Sequence, residues 1–265
     1  DNDDPRYTYS AVSHQIILET IRDVRKRFSI DSNRVFMAGH GKGGEAAWDV
    51  GLAHPDVFAG VIPISAAIPE TAIFTRGNGK YCPLYIVGGE LDVDFVAGNS
   101  KHVQNMVQAQ HELVYVEYLG HGREHFFMEI EMLLDWMSRK QRQPYPREFS
   151  IHAVRSGDTQ FWWWQLAETP KILQANAALS DGSKPKVITL KGQVFHTNTL
   201  EVKGGSRNHV ISLSPEIIDF DKRLEVRVGS AVRFNNFLKP SLEAMLEDFR
   251  INADRQRLIW ARLEI

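Results

Sequence analysis

From residue 10 to residue 28, apolar side chains recur at three- and four-residue steps: Val12, Ile16, Ile17, Ile21, Val24 and Phe28. That period predicts an amphipathic helix. Ser10 is placed to cap it. Arg25, Lys26 and Arg27 fall in its last turn, where the helix dipole favours positive charge. Residues 30–33 read as a turn, and 34–38 as a short apolar strand covered on both faces. The glycine-rich turn Gly39-His40-Gly41-Lys42-Gly43-Gly44 follows, and then a helix to about Ala53 that His54-Pro55-Asp56 closes. Residues 59–65 predict a second buried strand, 66–81 a polar excursion containing glycine, and 83–88 a third strand. Gly89-Glu90-Leu91-Asp92 is the loop at the end of that third strand. Residues 100–110 read as helix and 113–119 as a fourth strand. Phe127, Ile130, Leu133, Leu134 and Met137 mark a last helix. Strands alternating with helices predict a parallel α/β sheet.

The pattern changes at Gln141-Arg142-Gln143-Pro144-Tyr145-Pro146, where two prolines among polar residues mark a boundary. The domains expected are residues 1–143 and 144–265. Beyond the boundary, short alternating segments predict strands at 149–155, 160–166, 186–190, 199–202, 209–213 and 224–228. Gly204-Gly205 is a turn signal between two of them. Residues 241–249 read as a helix. This half is expected to be a small antiparallel β-sandwich. In Phe161-Trp162-Trp163-Trp164, a strand would turn Phe161 and Trp163 to one side and Trp162 and Trp164 to the other. Core and inter-domain packing is the simplest use of these rings, and a stacking platform for sugar rings is the functional alternative.

Composition narrows the classes. A chain of 265 residues with 43% hydrophobic content can bury a real core. A net charge of -2 supplies no field that draws nucleic acid or anionic membrane. The single Cys82 excludes a disulfide framework and a cysteine-based zinc site. The histidines at 14, 54, 102, 111, 152, 196 and 209 lack ligand spacing, so no metal site is expected. No apolar stretch approaches the roughly 18 residues that span a bilayer. The acidic start, Asp1-Asn2-Asp3-Asp4-Pro5, is no signal peptide. A mature exported chain would begin the same way, so an extracytoplasmic location is compatible and the compartment stays open.

The glycine turn admits two readings. By letters, Gly39, Gly41 and Gly44 satisfy the dinucleotide motif G-x-G-x-x-G. That chemistry also needs an acidic residue for the ribose at the end of the next strand. The strand ends Pro63-Ile64-Ser65-Ala66-Ala67, and Glu70 comes too late. A P-loop fails because Gly43 follows Lys42 where serine or threonine is required.

The second reading rests on a longer stretch. Asp31-Ser32-Asn33-Arg34-Val35, the apolar strand, Gly39 to Gly44, and His54-Pro55-Asp56-Val57-Phe58-Ala59-Gly60 resemble the α/β-hydrolase superfamily. The closest look is to its polyhydroxyalkanoate-depolymerase, feruloyl-esterase and prolyl-oligopeptidase-like branches. Their motifs are D-x-x-R-V, G-x-S-x-G-G at the nucleophile elbow, and H-P-x-x-F-A-G. The resemblance covers residues 10–140 and implies the second half of the superfamily's parallel sheet. It implies no cofactor. It places the triad acid at Asp92 and the base at His125, with His121 as the rival base. His125 is preferred because Phe127 and Ile130 continue it as a helix start. A bland reading of Asp92 stands beside this: it simply caps a loop or helix start. Residues 161–163, 219–221, 246–248, 253–257 and 260–261 resemble a C-terminal β domain attached to bacterial hydrolase-like proteins of unassigned function, which implies architecture and no chemistry.

Gly41 stands where the family carries its nucleophilic serine. Glycine has no atom to attack a carbonyl, so covalent acyl transfer cannot run there. His40 and Lys42 flank the elbow, but neighbours on a sharp turn point apart. The expectation is a hydrolase-fold protein without catalysis that binds a small molecule, peptide or carbohydrate. Two alternatives stay open. One is an active hydrolase, with serine exchanged at position 41 or water activated by His125 and Asp92. The other is a nucleotide-binding domain. About forty residues precede the elbow where the family has about a hundred, so the remaining strands are expected from a preceding part of a longer chain. Four strands alone would leave an apolar sheet edge exposed.

Overall fold

The computed structural model describes residues 7–176 and 184–265. The acidic start at 1–5 lies outside the described residues. Two compact units emerge. One holds residues 7–13 with Asn33–Gln143, and the other holds His14–Ser32 with Pro144–Ile265.

The first unit is a parallel sheet with flanking helices. Its strands run in the order β1 (Phe36–His40), β2 (Gly60–Ile64), β3 (Leu84–Gly89) and β4 (Leu113–Tyr118). β3 is buried at every position and β2 at all but its last. The apolar runs of these two inner strands therefore face protein on both sides. β1 and β4 are the edges and only half-buried. This corrects the expected double cover of the first strand, which also begins two residues later than its apolar run suggested. One face of the sheet carries a cluster of Ile62, Tyr85, Val87, Phe126, Leu133 and Trp136. Truncating a ring such as Trp136 to alanine would cost about 3–5 kcal/mol.

The helices depart from the pattern in four places. The first helix, α1 (Ala11–Arg27), forms where predicted, and Ser10 Oγ accepts from Ser13 N at 3.2 Å. An amphipathic helix normally turns its apolar stripe to the core, yet Val12, Ile16 and Phe28 are all more than 60% exposed. The buried positions are His14 and Arg25. Arg25 is admitted because Asp254 Oδ2 lies 3.7 Å away and Arg255 donates to the Arg25 carbonyl at 3.1 Å. After the elbow, α2 (Lys42–Ala53) matches its expected span. The polar excursion at 66–81 contains α3 (Glu70–Thr75) and a 3₁₀ turn over Arg76–Tyr81. The next helix, α4 (Val93–Gln108), starts seven residues before its apolar period suggested, because Asp92 caps it. A 3₁₀ turn at Phe127–Glu129 leads into α5 (Ile130–Ser138). Three residues of the predicted stripe, Phe127, Ile130 and Leu134, are exposed, while Leu133 and Trp136 carry the packing.

The second unit contains two sheets. One runs β5 (Glu148–Ala153), β8 (Ile188–Phe195), β9 (Thr199–Lys203), β11 (Leu224–Val228), β12 (Ala231–Asn236) from one edge to the other. The second contains β6 (Gln160–Phe161), β7 (Trp164–Leu166), β10 (His209–Leu213) and β13 (Ala261–Glu264). Most pairs are antiparallel, but β9 and β11 run parallel, a departure from the all-antiparallel expectation. β12 and β13 carry too little apolar alternation to be seen in the sequence. The helical remainder is α6 (Lys171–Asn176) and α7 (Leu242–Asn252).

The aromatic run is not one strand. Trp162 and Trp163 form the turn between β6 and β7, with Trp162 at φ +48°. All four rings are at most 2% exposed. Phe149 of β5 packs on Trp162 at 4.8 Å and on Trp163 at 5.1 Å between ring centroids. Trp163 Nε1 donates to the Pro146 carbonyl at 2.9 Å. These rings join the two sheets and offer no face to a sugar, so the platform alternative fails for this run.

Candidate functional site

The site residues gather at the C-terminal ends of the four parallel strands, where open α/β sheets place their ligands. Gly41 forms the turn from β1 into α2, with φ +56° and ψ -118°. A side chain there would be strained by its backbone alone, since a Cβ on Gly41 meets nothing within 4 Å. Gly39 and Gly44 serve differently. A Cβ on Gly39 would overlap the Gly43 carbonyl, and one on Gly44 would come within 2.6 Å of Ala66 Cβ. The turn is therefore sharp because strand and helix nearly touch. Gly41 N donates to the Ile64 carbonyl at 2.8 Å, and the Gly41 carbonyl accepts the first helical bond from Glu45 N at 3.0 Å.

The two neighbours of Gly41 do diverge. Lys42 Nζ lies 2.7 Å from Glu45 Oε2, and the Tyr9 hydroxyl completes a cluster with both. Glu45 and Tyr9 hold the Lys42 ammonium above its ordinary pKa. Burial, and then Glu45, raises that of Tyr9. His40 turns toward the loop after β4. Its Nε2 donates to the Glu124 carbonyl at 2.9 Å, and its ring lies 4.8 Å from that of His125. Ser65, buried and at φ +46° after β2, donates to the same carbonyl at 3.2 Å. Two donors on one oxygen tie the histidine-bearing loop to the ends of β1 and β2.

The acid position behaves otherwise. Asp92 Oδ1 accepts from Phe95 N at 3.3 Å, so it caps α4. Its other oxygen lies 3.2 Å from Arg123 Nε, and Arg123 also reaches Asp94 at 3.8 Å. Among the described residues, no hydrogen bond or ion pair joins Asp92 to His121 or His125. His121 Nδ1 instead pairs with Glu124 Oε2 at 3.1 Å, and its ring lies against Tyr118 and Phe126. His125 is exposed because the next residue, Phe126, is buried in the left-handed conformation at φ +50°. The loop is anchored below by Glu129, whose buried carboxylate accepts from the hydroxyls of Tyr85 and Tyr118. That bond pushes the Tyr118 phenol up to about 12.

The structure thus brings His125 beside the elbow and leaves His121 turned aside. It gives Asp92 an arginine partner. Sequence reasoning assigned no role to Arg123, Ser65 or Tyr9. Only Arg123 left a signal, a lone cation between two histidines facing the acidic stretch Glu90-Leu91-Asp92-Val93-Asp94.

No protein-family model matches this chain, and no curated protein matches it. Among solved structures it is similar to SOBER1 of Arabidopsis thaliana, at 18% identity and a TM-score of 0.42, over 51% of this chain and 66% of that one. A thermostable esterase is similar at 20% identity and a TM-score of 0.42, over 52% of this chain and 42% of the other. The S-formylglutathione hydrolase FrmB of Staphylococcus aureus is similar at 18% identity and a TM-score of 0.38, over 47% and 63%. The chain spans less than two thirds of the length of each. Among the described residues, no helix is long and apolar enough to cross a membrane.

Proposed function

We propose that this is an α/β-hydrolase-fold protein, related to serine esterases and peptidases, whose elbow carries glycine in place of the nucleophile and which acts by binding. The observation that carries the reading is the backbone of Gly41. A strand-to-helix turn with φ +56° and ψ -118° at its central residue is the strained geometry that presents a nucleophile in a hydrolase. Here it presents none. The arginine on Asp92 supports the same reading, because an acid held by Arg123 does not orient a histidine. On this reading further strands continue the sheet beyond β1, and the second unit is a β-sandwich that Phe149 and the tryptophans hold together.

One observation favours a second reading. The open space at Gly41 would accept a serine, so a chain with the substitution Gly41→Ser would have its hydroxyl beside the loop of His125. The two readings separate with a panel of p-nitrophenyl esters. The chain with Gly41 is expected to hydrolyse none of them above the buffer rate. Turnover by that chain would overturn the binding reading. Retention on immobilised adenine or nicotinamide nucleotides would instead revive the nucleotide motif.

A further inference from the structure

The second unit holds a cleft of about 940 Å³. Its walls are the end of β8 with the turn into β9, the loop after β10, the segment after β12, and Trp260. Four aromatic rings line it: Phe195, Phe220, Phe237 and Trp260. Phe237 is 59% exposed, and Phe195 and Trp260 are more than a third exposed. Phe220 and Trp260 stack with centroids 6.2 Å apart and planes at 26°. Isolated exposed apolar residues are ordinary, but four rings around one concavity are a surface that a ligand with flat apolar faces would cover.

The polar lining narrows the ligand. The cleft carries three cations, Arg147, Lys222 and Lys239, against the carboxylates of Asp219 and Asp221. Lys222 is spent on Asp219 at 2.8 Å. Among the described residues, no ion pair engages Arg147 or Lys239. The walls are also set in advance. Asn198 is buried in the left-handed conformation at φ +59°, and its amide donates to the Asp219 carbonyl at 2.9 Å and accepts from Asp219 N at 2.8 Å. Trp260 is fixed through its backbone to Leu213 and Ser241, both at 2.7 Å.

We propose that this cleft binds a carbohydrate chain bearing carboxylates. A pyranose ring has an apolar face for the aromatic rings and a hydroxyl rim for the polar groups. A uronate carboxylate then pairs with Arg147 or Lys239. The volume accommodates several rings. A single-stranded nucleic acid would also stack on the aromatics, and the oligothymidylate comparison below tests it as the competing polyanion. The proposal is independent of the elbow, because every lining residue belongs to the second unit.

The test is calorimetric titration of the full chain with oligomers of galacturonate, of mannuronate and of a glucuronate-containing glycan. A neutral glucose oligomer and an oligothymidylate serve as comparisons. Binding of at least one uronate oligomer is expected, weakened about tenfold by Phe237→Ala and by Lys239→Gln. Both side chains are exposed, so the circular dichroism of the variants should match that of the parent. The proposal is overturned if no uronate oligomer binds, if both variants bind it unchanged, if the oligothymidylate binds in its place, or if the neutral oligomer binds equally well.

Discussion

Arg123 Nε lies 3.2 Å from Asp92 Oδ2, on a carboxylate side chain only 5% exposed. Asp92 thus serves two structural partners, the cap at Phe95 N and the Arg123 guanidinium. It holds the loop after β3 to the loop after β4. The backbone bond from Leu91 N to the His121 carbonyl at 2.8 Å, and that from Gly120 N to Glu90 Oε2 at 2.9 Å, reinforce the same join.

Arg123→Gln should therefore destabilise the chain by about 1 kcal/mol, a small figure because Arg123 is half-exposed and water screens the pair. Asp92→Ala should cost more, about 2 kcal/mol, since it removes a cap as well. Urea midpoints of the two variants check the order. The reverse order would mean that the cap contributes nothing.

On the proposed reading, the same contact governs any chemistry from a serine placed at position 41. Gly41→Ser alone should give little esterase activity, because Asp92 is occupied. The double variant Gly41→Ser/Arg123→Gln should exceed it by about tenfold or more, within the range of general acid–base contributions. Equal rates on p-nitrophenyl acetate would show that Arg123 does not restrain the acid.

The glycines of the turn should divide by cause. Gly43→Ala meets open space inside α2 and should be neutral or stabilising by about 0.5–1 kcal/mol. Gly41→Ser should cost about 1–3 kcal/mol from its backbone conformation. Gly39→Ala drives a methyl into the Gly43 carbonyl and should cost on the order of 4 kcal/mol. Thermal melts of the three variants read this ranking.

Acid should weaken the second unit through His209. The side chain is buried, and Trp164 Nε1 donates to its Nδ1 at 3.1 Å, which requires an unprotonated nitrogen. Burial, then Arg233, holds its pKa below the ordinary value. The unfolded chain then binds more protons than the folded one at a pH below about 6.5. Stability from neutral His209 is complete above that pH and is lost as the pH falls below it toward the folded pKa. Urea midpoints at about pH 7.5 and about pH 5 should fall further for the parent than for His209→Gln. His102 and His111 are shifted the same way, so the variant keeps part of the loss.

Much of the first unit was legible because its signals are local. The run Gly39 to Gly44 and the buried strand at 60–64 carry their own turn chemistry and apolar continuity. Less legible were features that depend on distant partners. The start of α4 hides behind Val93 and Asp94, where only the cap at Asp92 marks it. The stripe on α1 pointed the wrong way because Asp254, more than two hundred residues on, admits Arg25 to the interior. The Trp162–Trp163 turn defeated the period-two reading because large aromatic residues favour strands, while Trp162 sits at φ +48°. At the site, the residue types were readable but not their pairing. Asp92 and His125 stand at the expected strand ends, yet the carboxylate goes to Arg123 and the imidazole meets the His40 ring edge-on.

The central claim is that the elbow has nothing to attack with. Intact-mass measurement of the unmodified chain after exposure to a fluorophosphonate tests it most directly. The account predicts an unchanged mass, with a single adduct appearing at most in Gly41→Ser variants. A stoichiometric adduct on the chain that carries Gly41 would contradict it, and would mean that another residue performs the attack.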